Sequence, residues 1–259
     1  MYKIPANTLF TGRKLIYVPE CHSTNSSLAE LHEQVELPEG TVFITDYQTR
    51  GRGQRGNSWE SGQGENLTFS ILFQPSFLAA MDQFQLNMAV TVGIARGLQN
   101  LISRGVSVKW PNDILVDDLK VGGVLIENQT MGANLSTSIV GIGLNVNQTR
   151  VPHAQAGSLI QWVGQPLGLN EVLEVLLVGI ESNYLRLRSG AHEQIRAEYL
   201  ELLYKYRVPQ LFEAGANPFM GLITNVDESG RLCVECSGEI LKFSLKEIRM
   251  VFPMRPDRN

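Results

Sequence analysis

The chain has 259 residues, of which 43% are hydrophobic and 19% are charged, so it can bury a substantial core and extensive disorder is not expected. Its formal net charge of −4 argues against general nucleic-acid binding, which usually needs a basic face. No segment has the pattern of a signal peptide or of a transmembrane helix. The odd number of cysteines, three, is typical of a reducing cytoplasm rather than of a disulfide framework.

The first half of the chain alternates between predicted strands and helices. Ser27 and Glu30 form a capping-box pair, which predicts that a helix begins near Ser27 and ends at the Pro-Glu-Gly sequence of 38–40. Apolar and polar residues alternate over 67–73, which predicts a strand with one buried face. The other predicted elements are strands at 15–18, 41–47, 106–110 and 138–147, a hairpin at 114–127, and a helix at 82–103 that is apolar almost all round.

The second half of the chain changes character at Pro209. Two helices are predicted before it, at 171–188 and 191–206, and only short strands after it, at 221–226, 231–236, 240–244 and 248–252. We therefore predict a main domain at 1–207 and a small β domain at 208–259. A module of about fifty residues is near the lower size limit for independent stability, so we expect it to pack against the main domain.

A glycine-rich loop at 48–64 is the most unusual stretch. It contains five glycines, the arginines Arg50, Arg52 and Arg55, and the large aromatic Trp59. Such a loop supplies backbone N–H groups and guanidinium forks, which suit phosphate oxygens. Its spacing matches neither the phosphate-binding loop of P-loop enzymes nor the dinucleotide fingerprint. A solvated basic loop, or an Arg-Gly contact to RNA, is an open alternative.

Three further segments place polar groups where a ligand could use them. Asn112 and Asp113 follow Lys109-Trp110-Pro111 near a strand end, which suits a nucleotide and its metal, although Asn and Asp are also common in plain turns. Lys120 precedes Gly122 and Gly123, which suits a carboxylate or phosphate, although an ordinary hairpin lysine is commoner. The sequence at 23–25, Ser-Thr-Asn, suits a neutral urea or amide, and equally a helix N-cap.

The histidines and cysteines do not predict a metal or nucleophile site. The four histidines are scattered along the chain without the spacing of metal ligands or of a catalytic base. Cys233 and Cys236 have the spacing of half a metal site, but no second pair exists and their odd separation along a strand directs them to opposite faces.

Taken together, these segments resemble the biotin protein ligases (biotin–[acetyl-CoA-carboxylase] ligases). The motifs that match, in the family's order and spacing, are Ser23-Thr24-Asn25, Tyr47-Gln48, Gly51-Arg52-Gly53-Gln54-Arg55-Gly56 with Trp59, Lys109-Trp110-Pro111-Asn112-Asp113, Lys120 to Glu127, and Gly141-Ile142-Gly143-Leu144-Asn145. The resemblance covers nearly the whole chain. It implies an α+β fold, with a mixed-sheet catalytic domain flanked by helices, as in class II synthetases and biotin–lipoate ligases, and a C-terminal SH3-like β-barrel.

The resemblance also implies an activity. In that family the carboxylate of biotin attacks the α-phosphate of ATP, with Mg²⁺, and the resulting biotinyl-5′-AMP is attacked by a lysine of a biotin carboxyl carrier protein. The expected substrates are therefore ATP and biotin, with Mg²⁺, and the expected state is a cytoplasmic monomer or homodimer without a DNA or membrane partner. Some members carry an N-terminal DNA-binding domain. Ser23 lies too close to the start of this sequence for one, so we expect no repressor role.

The family's functional positions map onto this sequence. Catalytic charge is expected from Arg52, Arg55 and Lys120. Biotin contacts are expected from Ser23, Thr24, Asn25, Gln48, Gly51, Arg52, Lys120, Gly122 and Gly123. ATP contacts are expected from Arg52, Arg55, Trp59, Lys109, Asn112, Asp113 and Asn145, with Asp113 as a ligand of Mg²⁺. The sequence departs from the family at Gln54, a position that is often a second arginine.

Two other activities are open alternatives. A lipoate or octanoate transferase would share the fold class, but would have a narrow apolar tunnel and no need of the arginine loop. An RNA-binding module could use the Arg-Gly sequence, although the net negative charge argues against it.

Overall fold

A computed structural model describes residues 2–151, 153–215 and 217–251, the side chain of Arg55 excepted. The larger sheet has seven strands: β1 Leu15–Cys21, β2 Val42–Gln48, β3 Leu67–Phe73, β4 Val106–Lys109, β5 Asp113–Val116, β6 Leu119–Met131 and β7 Asn134–Leu144. Their order is β1-β2-β3-β7-β6-β5-β4, with β1 and β2 parallel and every other pair antiparallel. The sheet is therefore mixed, as predicted.

In the described residues five α-helices accompany this sheet, and a second sheet follows them. The helices are α1 Thr24–Gln34, α2 Phe84–Leu101, α3 Ile160–Val163, α4 Leu169–Arg188 and α5 His192–Leu202. The second sheet contains β8 Gln210–Ala214, β9 Asn217–Val226, β10 Leu232–Cys236, β11 Glu239–Phe243 and β12 Arg249–Met250, in the order β11-β10-β9-β8-β12. The predicted α+β class is confirmed. The exact division after residue 207 stays a prediction, and the second sheet begins at Gln210.

Helices α2 and α4 pack closely because each carries a glycine at the contact. A Cβ on Gly93 would lie 2.5 Å from the carbonyl oxygen of Gly179, and a Cβ on Gly179 would lie 2.4 Å from that of Gly93. Most of α2 is buried, as its apolar residues on all sides predicted. The two helices cover one face of the larger sheet and form the main core with it.

The prediction of one buried face for β3 is wrong, because all seven of its residues are buried. Phe69 and Ile71 point into the main core, whereas Leu72 packs with Leu28 of α1 in a second, smaller core. The polar residues of this strand share the face of Leu72, because side chains alternate along a strand. They lie beneath α1, not in solvent, and so become available to a buried site.

The first helix begins at Thr24, three residues before the predicted start. The N–H of Ser27 donates to the carbonyl of Ser23 at 2.9 Å, so Ser27 lies within the first turn and cannot cap it. Glu30 instead lies 3.3 Å from the Nε2 of His22. Ser23 is the N-cap residue, as the alternative interpretation predicted, although its side chain makes no capping hydrogen bond.

Several other boundaries differ from prediction. Helix α5 ends at Leu202 and not near 206, because the N–H of Tyr204 donates to the carbonyl of Val108 at 2.8 Å and Lys205 has a φ of 58°. Strand β6 continues to Met131 and β7 begins at Asn134, so the two meet in a hairpin at 132–133, and β7 ends at Leu144 rather than at 147. Strand β8 and the start of β9 were not predicted, and of the final predicted strand at 248–252 only β12 is seen, Phe252 lying outside the described residues.

The second sheet contacts the rest of the protein through specific hydrogen bonds. The indole nitrogen of Trp110 donates to the carbonyl of Gly230 at 2.9 Å, and Arg196 donates to the side chain of Asn225 at 2.8 Å. The N–H of Arg207 donates to the carbonyl of Ile223 at 3.0 Å. Within the described part of the chain, none of the helices combines the length and hydrophobicity that crossing a bilayer requires.

Candidate active site

A cavity of about 280 Å³ lies between the arginine loop, the start of α1 and the strands β4 to β7. Its lining includes many of the residues selected from the sequence: Ser23, Thr24, Asn25, Gln48, Arg52, Trp59, Lys109, Asn112, Asp113, Lys120 and Gly123. The second sheet supplies another part of the wall, including Phe212, Ile223 and Leu232. Residues from widely separated motifs therefore share one hollow.

The first turn of α1 forms a buried polar corner of this cavity. Gln48 at the end of β2 accepts hydrogen bonds through Oε1 from the backbone N–H of Thr24 at 2.7 Å and from its hydroxyl at 3.1 Å. The hydroxyl of Ser70 lies 2.8 Å from Thr24 Oγ1 and 2.6 Å from Asn25 Oδ1. All of these groups except Gln48 are buried, so they present neutral donors and acceptors in fixed positions.

Asn25 connects this corner to the arginine loop. Its Nδ2 donates to the carbonyl of Leu125 at 3.2 Å and to Oε2 of Glu127 at 2.8 Å. The same Oε2 accepts from Nη2 of Arg52 at 2.7 Å. Gly141 lies directly behind Asn25, since a Cβ there would be 2.2 Å from Asn25 Oδ1. The glycine therefore makes room for the amide.

The arginine loop folds back on itself in a short hairpin. The N–H of Trp59 donates to the carbonyl of Gly51 at 3.0 Å, and the N–H of Gly53 donates to the carbonyl of Asn57 at 2.7 Å. A Cβ on Gly51 would lie 2.2 Å from the carbonyl oxygen of Trp59, so this closure requires a glycine. The indole of Trp59 covers Gly143 of β7, where a Cβ would be 2.3 Å from the ring. Its Nε1 is buried without a hydrogen-bond partner among the described groups.

Two lysines and one carboxylate lie on the opposite side of the cavity. Lys120 Nζ is 2.6 Å from Asp113 Oδ1 and 6.0 Å from the centroid of the Trp59 ring. Burial lowers the pKa of Lys109, and the neighbouring charge of Lys120 lowers it further, while Asp113 opposes the change. Lys109 and Lys120 therefore bring positive charge to this side of the cavity, next to the carboxylate of Asp113.

Asn112 lines the cavity and is also hydrogen-bonded to the backbone of Val124. Its side-chain Nδ2 donates to the carbonyl of Val124, and its own carbonyl accepts the N–H of Val124 at 3.1 Å. These bonds fix the turn between β4 and β5, which follows the cis peptide between Trp110 and Pro111. The nucleotide contact expected of Asn112 stays a prediction.

Four of the predicted site residues are not placed in the cavity lining. Gly51 faces a neighbouring hollow, and Gly122 faces the backbone of Gly143. Asn145 is buried, with Nδ2 donating to the carbonyl of Gly157 at 3.0 Å and Oδ1 without a donor among the described residues. The side chain of Arg55 lies outside the described residues.

The described part of the chain contains no group of three or more His, Cys, Asp or Glu residues able to hold a metal. Cys233 is buried, Cys236 is half-buried, and both are free thiols, as is Cys21.

Some residues of the site were missed by reasoning from the sequence. Ser70 is, with Thr68, one of two polar residues in the largely apolar strand β3, which is a signal that could have been used. Glu127 ends the motif that begins at Lys120, but nothing in the sequence indicates its contact with Arg52. Phe212 and Ile223 give no local signal, because their position depends on how the second sheet docks.

Comparison with known proteins agrees with this geometry. Residues 17–145 match the model of the biotin/lipoate A/B protein ligase family. Over 244 residues the chain is 27% identical to the bifunctional ligase/repressor BirA of Bacillus subtilis, covering 92% of this chain and 74% of that protein. It is 25% identical to the biotin–[acetyl-CoA-carboxylase] ligase of Mycobacterium tuberculosis, covering 91% and 88%.

A solved structure supports the same conclusion. The biotin protein ligase from Aquifex aeolicus in complex with biotin and ATP aligns with a TM-score of 0.77 and 26% identity, covering 92% of this chain and 99% of that one. The resemblance inferred from the sequence motifs is thereby confirmed. The chain therefore belongs to the biotin/lipoate A/B protein ligase family.

Proposed function

We propose that the protein is an ATP-dependent biotin protein ligase that activates biotin as biotinyl-5′-AMP and transfers it to a lysine of a biotin carboxyl carrier protein. The observation that carries this proposal is the shared cavity. Neutral hydrogen-bonding groups at one end and the cations Arg52, Lys109 and Lys120 elsewhere line the same 280 Å³ hollow. Such a cavity suits a ligand with a urea-like ring and a carboxylate that must meet a phosphate.

The first half-reaction joins two anions. A carboxylate oxygen of biotin forms a bond to the α-phosphorus of ATP, and the bond from that phosphorus to the bridging oxygen breaks to release pyrophosphate. Positioning and electrostatic stabilisation dominate such a transfer. Lys120 and Arg52 supply positive charge at the cavity surface, and Arg55 is proposed to do so from its position in the loop.

The polar corner at α1 suits the neutral ring of biotin. Thr24 and Gln48 are held by mutual hydrogen bonds, and Ser23 and Asn25 flank them. Fixed neutral groups discriminate strongly between ligands that can pair with them and ligands that cannot, because an unpaired buried group is costly. This corner therefore favours biotin over lipoate, which has no ureido group to pair with it.

The residues present fit a magnesium ion that arrives with the nucleotide. Mg²⁺ in such sites takes one or two carboxylates together with substrate phosphates and water. Asp113 provides a carboxylate in the cavity and would hold the ion. When bound there, Mg²⁺ would offset the negative charge of the phosphates.

The second half-reaction needs access for a protein lysine. Its ε-amine attacks the acyl carbon of the adenylate, forming an amide and releasing AMP. The arginine loop lines part of the cavity, and a loop that closes over the adenylate would protect it from hydrolysis. The preferred carrier, a monomeric or homodimeric state and the cytoplasmic location stay predictions.

The direct test is incubation with biotin, Mg-ATP and a carrier domain that lacks biotin. We expect protein-bound biotin that depends on ATP and on the acceptor lysine. No incorporation by the folded protein would overturn the proposal. Isothermal titration with biotin and, separately, with lipoate would then show which of the two ligands the protein binds, and so whether it is a lipoate enzyme of the same family.

A further inference from the structure

We propose that Glu127 is a positioning residue that orients Arg52 for adenylate formation. This inference rests on the proposed function and adds a residue that touches neither substrate. Oε2 of Glu127 accepts Nη2 of Arg52 at 2.7 Å. Glu127 does not line the 280 Å³ cavity; it lies behind Arg52, in a shallow groove between α1 and β6 that Asn25 and Glu33 also line.

The carboxylate of Glu127 is held in place by a buried side chain, Asn25. Asn25 donates to the same Oε2 at 2.8 Å, and Asn25 is only 3% exposed. That amide is itself held by the carbonyl of Leu125 and the hydroxyl of Ser70, and the glycine backbone at 141 leaves it little space to turn. Glu127 therefore presents a rigid acceptor to a residue on a glycine-rich loop.

The ion pair between Arg52 and Glu127 is too exposed to contribute much to the stability of the folded protein. The side chains of Arg52 and Glu127 are 44% and 40% exposed, and ion pairs at that exposure contribute little to folding stability. A guanidinium has five N–H donors. Because Glu127 occupies one terminal nitrogen from the side away from the cavity, the other donors of Arg52 can reach a phosphate or carboxylate inside it.

The pair also connects the two ends of the site. Glu127, Asn25, Ser70 and Thr24 form a continuous polar chain from the arginine loop to the corner proposed to hold the ureido ring. A ligand bound at Thr24 and Asn25 would therefore be linked, through these hydrogen bonds, to the acceptor that orients Arg52. Glu127 is the only member of this chain that contacts the loop directly through a charge, as far as the described residues show.

The test compares Glu127→Ala with the matched variant Glu33→Ala, which removes the same charge from the same groove without an ion pair to Arg52. For Glu127→Ala we expect kcat/KM for ATP in adenylate formation to fall about 10–100-fold, mainly through kcat, which is the size of loss seen when outer partners of metal ligands are removed. Glu127→Gln, which keeps an acceptor, should recover part of the loss. Glu33→Ala should behave like the wild type.

A double-mutant cycle separates positioning from a general structural effect. If Glu127 acts through Arg52, adding Glu127→Ala to an Arg52→Ala protein should cost less than about twofold more. An equal loss in both backgrounds would overturn the inference, and so would wild-type kinetics of Glu127→Ala beside an active wild-type enzyme. An inactive wild type would instead count against the proposed function.

A second measurement does not depend on biotin chemistry. Trypsin cleavage after Arg50 and Arg52 in the free, full-length protein should be several-fold faster in Glu127→Ala than in the wild type or in Glu33→Ala. Identical cleavage rates in all three proteins would show that Glu127 does not hold the loop, and would overturn the inference whatever the enzyme's substrate.

Discussion

Gly141 lies on β7 directly behind the amide of Asn25, and replacing it with alanine tests how rigid the polar corner is. The added Cβ would be 2.2 Å from Asn25 Oδ1 and 2.9 Å from its Cγ. Asn25 is buried and short, and it cannot move without losing its hydrogen bonds to Glu127, Leu125 or Ser70. We therefore expect Gly141→Ala to destabilise the folded protein.

The expected decrease in the free energy of unfolding of Gly141→Ala follows from three contributions. Overpacking a tight site costs about 1–3 kcal/mol. The loss of one or two hydrogen bonds adds about 1 kcal/mol each. The lower entropy of the unfolded chain with alanine offsets about 0.4–1 kcal/mol. Together these contributions give a loss of about 1–5 kcal/mol, which in a chain of this size corresponds to a fall in Tm of about 2–20 °C.

Gly143→Ala provides a matched control two residues further along the same strand face. Its Cβ would be 2.3 Å from the Trp59 ring, an equally severe overlap. Trp59, however, is half-buried and belongs to a loop, so its indole can move away. We expect this variant to lose about 1 kcal/mol or less, and to show its effect in Trp fluorescence and in the KM for ATP.

Differential scanning calorimetry of the two variants tests whether Asn25 is held rigidly while Trp59 can move. A large fall in Tm for Gly141→Ala and a small one for Gly143→Ala would support a rigid corner beside an adjustable loop. Equal shifts, or an unchanged Tm for Gly141→Ala, would refute the reasoning, because Asn25 would then be free to turn aside.

Three other predictions concern charged groups. Lys120→Ala should raise the KM for biotin and slow adenylate formation in single-turnover measurements, and unchanged kinetics would remove Lys120 from the site. Because burial lowers the pKa of Lys109, adenylate formation should decline as the pH rises through that lowered pKa, where the charge is lost. Lys109→Arg should move the decline to higher pH. The pKa of Glu181 is lowered, since N–H bonds from residues 9–11 outweigh its desolvation. The ionised Glu181 therefore stabilises the folded protein, and this contribution should disappear as the pH falls through the lowered pKa. Glu181→Gln should abolish the part of the pH dependence of Tm that comes from this carboxylate.

The sequence predicted the larger features well because they depend on local patterns. The buried helix α2, the hairpin of β5 and β6 and the turn at 111–113 all have strong periodicity or turn residues. The gathering of the arginine loop, Lys120 and Lys109 around one cavity agrees with the family resemblance, which carries tertiary information that periodicity lacks.

The failures share a different cause, which is the influence of distant parts of the chain. Alternation along β3 predicted an exposed face, but α1 covers it, so Thr68 and Ser70 are buried. Helix propensity continued α5 past Leu202, but the edge of β4 offered hydrogen bonds to Tyr204. The ion pair between Arg52 and Glu127 joins residues 75 positions apart and has no local signature.

The docking of the second sheet has a consequence for shortened versions of this protein. Phe212, Ile223 and Leu232 are wall residues of the hollow, and Gly230 accepts the indole N–H of Trp110. A chain cut after residue 207 would leave that indole facing water and the hollow open along one side. The smaller sheet thus closes one side of the hollow. In a truncated enzyme, water should reach whatever reactive intermediate forms there.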